Sequence, residues 1–199
     1  MSLAAPLAAG FADPVLDGQA AFRAVLEAMA RPGQVQALAG LPQAPAPLSR
    51  VAAAIALTLV DHDAPLWLDP ALAASQPLRA WLAFHSGAPI VESRMEAGFA
   101  LIAEPLAMPA LDSFALGSEA YPDRSTTLIL QVQVFSDEGP LLSGPGLAAP
   151  SRFGAAPLPE TFWTQLRDNR AIFPRGVDVI LAGPGTVAAL PRSLQVEFG

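Results

Sequence analysis

The run Thr126-Thr127-Leu128-Ile129-Leu130-Gln131-Val132-Gln133-Val134-Phe135 decides the fold class. Leu128, Leu130, Val132 and Val134 recur at every second position, with Gln131 and Gln133 between them. Side chains of a strand alternate between its two faces, so this period predicts one long strand over 126–135. Ile129 and Phe135 add apolar groups to the glutamine side, which points to cover on both faces. Residues 177–182 form a second run, apolar except for Asp178, and read as a central strand. Shorter strands are expected at 34–38, 65–69, 99–103, 186–190 and 194–198.

Helical signals separate these strands. Asp13-Pro14 gives a helix start, with Asp as N-cap and Pro at the first helical position. Phe22, Val25, Leu26 and Met29 then follow the spacing of one buried helical face, which Arg31-Pro32-Gly33 closes. Residues 48–60 are apolar nearly all round and suit a buried helix. Further helices are expected at 76–85, around Leu78, Trp81, Leu82 and Phe84, and at 159–172, around Phe162, Trp163 and Leu166. A short helix is expected at 109–116, and the proline-rich stretch 41–47 reads as a loop. Single strands separated by helices predict an α/β chain with a parallel or mixed sheet, and no linker divides its 199 residues.

Composition removes several chemistries. The chain has no Cys, which excludes disulfides, a cysteine nucleophile and Cys-ligated zinc or iron–sulfur centres held by this chain alone. It has no Lys, all 11 basic residues being Arg, so it cannot form the internal Schiff base of a pyridoxal phosphate enzyme or supply a Walker lysine. No cofactor or metal is expected. A formal charge of −7 opposes non-specific nucleic-acid binding. The longest apolar run, 51–60, is too short for a bilayer span, which needs about 20 residues. Residues 1–9 are apolar but lack the basic residues of a secretory signal, so the segment reads as native and the chain as cytoplasmic.

Five places could carry chemistry. Gly144-Pro145-Gly146 and Gly183-Pro184-Gly185 each follow a strand and fit a relaxed dinucleotide pattern with Ala149 and Ala188. Neither opens a helix of the required kind, so both read as tight turns. Asp61-His62-Asp63 suggests a metal, but His85 is the only other His, and a helix C-terminal cap fits better. Phe173-Pro174-Arg175-Gly176-Val177-Asp178 sets an Arg beside a Gly just before a buried strand. Arg175 could hold a phosphate or carboxylate through its guanidinium fork. The competing structural reading is an Arg175–Asp178 contact, or an Asp178 bond to backbone amides, because a buried Asp needs a partner. Pro191-Arg192-Ser193 is a weaker version of the same signal. Arg175, Asp178 and Arg192 are therefore the candidate ligand-binding residues, and no catalytic residue is assigned.

The segments taken together resemble a known family. Gly10-Phe11-Ala12-Asp13-Pro14-Val15, Ala28-Met29-Ala30-Arg31-Pro32-Gly33, Leu57-Thr58-Leu59-Val60-Asp61, Leu66-Trp67-Leu68-Asp69 and His85-Ser86-Gly87-Ala88-Pro89 follow the order of PhnH proteins. Ala97-Gly98-Phe99-Ala100-Leu101, Leu142-Ser143-Gly144-Pro145-Gly146, the Phe173–Asp178 segment and Leu190-Pro191-Arg192 continue it over nearly the whole chain. PhnH proteins are subunits of the bacterial carbon–phosphorus lyase system. The resemblance implies a fold similar to the large domain of pyridoxal phosphate-dependent transferases, without the cofactor. It implies a homodimer, and a core complex with PhnG, PhnI and PhnJ. The implied chemistry, carried out together with PhnL, replaces adenine on the anomeric carbon of ATP by a phosphonate oxygen, giving a ribose 1-phosphonate 5-triphosphate. Within that chemistry the chain is expected to act as a scaffolding or co-catalytic subunit, with direct phosphate, phosphonate or nucleotide binding through Arg175 or Arg192 as the alternative.

Overall fold

Seven strands run side by side through the centre of the molecule, in a computed structural model that describes residues 7–198. Residues 1–6, most of the segment read as a native N-terminus, lie outside the described residues. The strands are β1 (Gln36–Ala37), β2 (Leu66–Leu68), β3 (Ile90–Val91), β4 (Phe99–Ile102), β5 (Thr127–Gln131), β8 (Asp178–Gly183) and β9 (Thr186–Leu190). Their order is β1-β9-β8-β5-β4-β2-β3. The five strands from β3 to β8 are parallel, and β9 and β1 are joined antiparallel at one side. A second, antiparallel sheet holds β6 (Val134–Ser143) between β7 (Ser151–Ala156) and β10 (Gln195–Glu197).

Period-two alternation sorts the side chains into two cores. Leu66, Leu68, Leu101, Ile129, Ile180, Val187 and Ala189 point to one face. That face is covered by α1 (Leu16–Ala30), α2 (Arg50–Leu59), the single turn α3 (Pro70–Ala73) and α4 (Gln76–His85). Trp67, Ala100, Leu128, Leu130, Val179 and Leu181 point to the other, covered by α5 (Phe162–Ala171), the second sheet and a 3₁₀ turn at Leu111–Ser113. The result is an α/β fold with a mixed sheet, as the alternation predicts. Among the described residues no helix is long and apolar enough to cross a membrane.

Several expectations need correction. The run 126–135 is two strands, not one. Leu128, Leu130 and Val132 do share a face, but pairing leaves the large sheet at Gln131 and resumes in the second sheet at Val134. The Val132 amide donates to Ala182 and the Gln133 amide to Ala156, so two residues carry the chain from one sheet to the other. Val134, beyond that step, is exposed. The short helix expected at 109–116 is only the 3₁₀ turn.

The buried stripe of α1 is also displaced. Ala21, Val25 and Ala28 face the core, while Phe22 and Leu26 are exposed. Small side chains let this helix approach α2 and β9 closely, and that rotates its bulky residues outward. Regular structure begins at Leu16, and Asp13 caps the turn before it by accepting from the Val15 and Leu16 amides. In α4, Leu78, Trp81 and Leu82 are buried as expected, but Phe84 is exposed.

Candidate functional site

In open parallel sheets, ligands bind outside the carboxyl ends of the strands, where neighbouring connections leave toward opposite faces. That place lies here between β2 and β4. From β2 the chain leaves through α3 and α4 over the first core to reach β3 on one side. From β4 it leaves through Leu111 and Phe114 over the second core to reach β5 on the other.

The backbone donors of this crevice are taken by the protein's own carboxylate. Asp69 directly follows β2 and is 3% exposed. Its Oδ1 accepts from the Leu72 amide at 2.9 Å, capping α3, whose first residue is Pro70. Its Oδ2 accepts from the Ala103 and Glu104 amides beyond β4, at 2.8 and 2.9 Å. These three backbone donors are of the kind that hold a phosphate in nucleotide-binding sheets. Here they ligate Asp69, which ties the two connections together. The sequence signal was available: Asp69-Pro70 repeats the helix-start pattern of Asp13-Pro14.

The candidate residues stand at the opposite, amino end of the parallel strands. Asp178 opens β8, level with Thr127 at the start of β5. The expected Arg175–Asp178 contact is not formed, because Asp178 pairs with Arg192. Nη2 of Arg192 lies 2.5 Å from Oδ2 of Asp178, and its Nε donates to both carboxylate oxygens at 3.2 and 3.1 Å. The Arg192 amide donates to Oδ1 at 2.8 Å, and Nη1 donates to the Pro122 carbonyl at 2.5 Å. The two side chains are 16% and 14% exposed. This geometry commits Arg192 to holding three chain segments together. Register explains the pairing: Val179 stands opposite Leu190, so Asp178 reaches the residues just after β9.

Arg175 is half-buried and forms no side-chain hydrogen bond or ion pair among the described residues. It stays close to two loops, since its amide donates to Ile172 and the following Gly176 amide to Leu116. Arg170 donates to the Ser193 carbonyl at 3.1 Å and lies over the Phe173 ring at 4.8 Å. Arg124 lies 4.3 Å over the Tyr121 ring. Neither Arg124 nor Arg170 is among the candidates that the sequence offers.

The remaining motifs are architectural. Pro184-Gly185 is the two-residue turn of the β8–β9 hairpin, with Gly185 at φ +68°. Gly146 has φ +87°, and a Cβ there would fall 2.1 Å from the Ala30 carbonyl oxygen, so this turn seats the C-terminal end of α1. Asp61 accepts from the Asp63 amide to close the turn after α2, and His62 lies exposed beside Asp63 at 3.4 Å. Among the described residues no group of three or more His, Asp or Glu is placed to hold a metal ion.

The largest cavity described lies away from all of these. A groove of about 810 Å³ runs beside α1, lined by Phe11, Phe22, Leu26 and Leu57 with Arg23 and His85 at its edges. Val15, Leu16 and Phe84 are also exposed, at 65%, 66% and 70%. His85 Nε2 lies 3.1 Å from the Ala8 carbonyl oxygen, which also accepts from Trp81 Nε1 at 2.8 Å.

Comparison with known proteins agrees with this whole-chain organisation. The family model described as bacterial phosphonate metabolism protein (PhnH) matches residues 9–197. The alpha-D-ribose 1-methylphosphonate 5-triphosphate synthase subunit PhnH of Rhizobium meliloti (strain 1021) is 43% identical over 188 residues, 94% of each chain. A putative C-P lyase subunit protein, HtxG, of Stutzerimonas stutzeri is 34% identical over 85 residues, 42% of this chain and 43% of its own. The match runs through both cores, the Asp69 crevice and the Asp178–Arg192 pair, and on it this chain belongs to the PhnH family of bacterial phosphonate metabolism proteins.

Proposed function

We propose that this chain is a cytoplasmic scaffolding or co-catalytic subunit of the assembly that makes ribose 1-phosphonate 5-triphosphate from ATP and an alkylphosphonate. It works with PhnG-, PhnI- and PhnJ-type subunits and forms a homodimer when alone. The observation that carries this reading is the similarity, over 94% of both chains, to a protein named as a subunit of that synthase. The geometry is consistent with it. The crevice where an α/β sheet usually holds a nucleotide is occupied by Asp69, and Arg192 is spent on Asp178. A direct ligand-holding role would therefore rest on Arg175.

The homodimer is supported by the outer face of α1. Val15, Leu16, Phe22 and Leu26 are each more than half exposed beside an apolar groove, and contiguous apolar surface of this kind marks interaction sites. The test is mass determination by light scattering on the purified chain and on the chain co-expressed with its sister subunits. A dimer alone and a defined heteromer together are the expected results. Robust turnover of ATP and phosphonate by the lone chain would sink the subunit reading. The double variant Phe22→Asp, Leu26→Asp is expected to be monomeric and still folded, with native circular dichroism, because both side chains already face solvent within one copy. A variant that stays dimeric would move the self-association surface elsewhere.

A further inference from the structure

A groove of about 520 Å³ lies on the α5 side of the molecule, between that helix and the 3₁₀ turn at Leu111–Ser113. Thr161, Thr164, Gln165, Asp168, Asn169 and Ile172 line one wall, at the three- and four-residue spacing of a single helical face. At 1.5 Å per residue this wall is about 16 Å long. Leu111 and Leu116 stand on the other wall. Gln165 Oε1 accepts from the Leu111 amide at 2.8 Å and ties the two walls together, so the groove is preformed.

The amide side chains of the groove are already committed. Gln165 Nε2 donates to Thr161 Oγ1 at 2.8 Å, and Asn169, 6% exposed, bonds both the amide and the carbonyl of Val177. Leu111, Leu116 and Ile172 give the remaining floor an apolar character. Asp112 and Asp168 line the groove, one on each wall, and no arginine does. Asp112 is exposed and forms no ion pair among the described residues. Arg167 bonds Oδ1 of Asp168 in an exposed pair, of a kind that contributes little, and leaves Oδ2 without a partner among the described residues. Arg170 is held by the Ser193 carbonyl and the Phe173 ring. Arg175 follows Ile172, to which its amide donates, and does not line the groove.

We propose that this groove docks a basic amphipathic segment of a different protein. Apolar side chains of the segment lie on Leu111, Leu116 and Ile172, and its Lys or Arg side chains reach Asp112 and Asp168. The length of the wall, about three helical turns, suits a peptide in a groove better than a compact small molecule. A second copy of the chain fits poorly, because a two-fold contact through this groove sets carboxylates against carboxylates. The helices α1 and α5 cover opposite faces of the large sheet, so the segment does not compete with self-association through α1. The proposal rests on the subunit reading only in supposing that a partner exists.

The test uses the intact chain and a fluorescein-labelled leucine–lysine peptide with helical spacing, followed by anisotropy at low and high salt. One variant combines Asp112→Asn with Asp168→Asn. A matched control, Asp137→Asn with Glu138→Gln, removes the same charge from exposed positions in β6. A third variant, Thr164→Trp, fills the groove from an exposed position. Expected results are salt-sensitive binding by the native chain, a loss of about fivefold in the first variant and none in the control. Thr164→Trp should abolish binding, with native circular dichroism in every variant. Co-purification with the sister subunits should fail in Thr164→Trp and survive in Phe22→Asp, Leu26→Asp. Four results would overturn the proposal. The first two are no peptide binding, and an equal loss in the matched control, which would report net charge alone. The third is full recovery of the sister subunits by Thr164→Trp. The fourth is a native oligomer that Thr164→Trp takes apart, which would give the groove to a second copy. If the native chain recruits no sister subunit yet the peptide results hold, the subunit reading fails and the groove stands.

Discussion

Asp69→Ala is expected to unfold at markedly lower denaturant than the native chain. The substitution removes an acceptor from three backbone amides, those of Leu72, Ala103 and Glu104, in a place only 3% exposed. A buried donor left without a partner costs about 1–3 kcal/mol. The three losses share one cavity and relax together, so the expected loss is about 3–5 kcal/mol, more than the ~1 kcal/mol of a lost helix cap alone. For a chain of this length that is a fall of about 6–20 °C in melting temperature. Asp69→Asn keeps one carbonyl acceptor and should fall between the two. Urea titration of the three proteins checks the order. A loss near 1 kcal/mol in Asp69→Ala would mean that only the α3 cap matters and that water replaces Oδ2.

Breaking the Asp178–Arg192 pair is the second large effect. Asp178→Ala leaves a guanidinium 16% exposed with only the Pro122 carbonyl, and removes the acceptor of the Arg192 amide. Removing one partner of a buried pair typically costs about 3–5 kcal/mol, because the other charge stays behind. Partial exposure places the expectation at the lower end of that range. Replacing both residues with apolar ones, Asp178→Leu with Arg192→Met, should cost less than either single change. A double-mutant cycle on denaturant midpoints reads this directly. Additive costs would show that each residue acts through its own backbone contacts and not through the pair.

These two carboxylates also show what the amino-acid order could and could not reveal. Periodicity located the central strands, and α4 falls on the residues expected, Gln76–His85. Asp69 looked like a strand end because its partners, Ala103 and Glu104, are brought near only by parallel pairing of β2 with β4. Parallel register has no local turn to count from. The Asp178–Arg192 pair was closer to legible. A two-residue Pro184-Gly185 turn fixes the hairpin register, and counting back from it carries Asp178 to the end of β9. Arg175 is nearer to Asp178 in the sequence but is not its partner. The face of α1 is hard to read for a different reason. Helical spacing identifies a stripe of large apolar residues but not whether alanines on the neighbouring stripe permit a closer approach. Spacing alone therefore places Phe22 and Leu26 in the core, and their exposure is what supports the self-association surface.

The passage of the chain from β5 into β6 has a consequence for cooperativity. Only Val132 and Gln133 separate the two strands, and Val132 is itself buried in the core that both sheets share. Detaching the smaller sheet would strip cover from Leu128, Leu130 and Leu181, so partial opening there is nearly as costly as global unfolding. Amide hydrogens of Leu130 and Leu142 should accordingly exchange at similar, global rates.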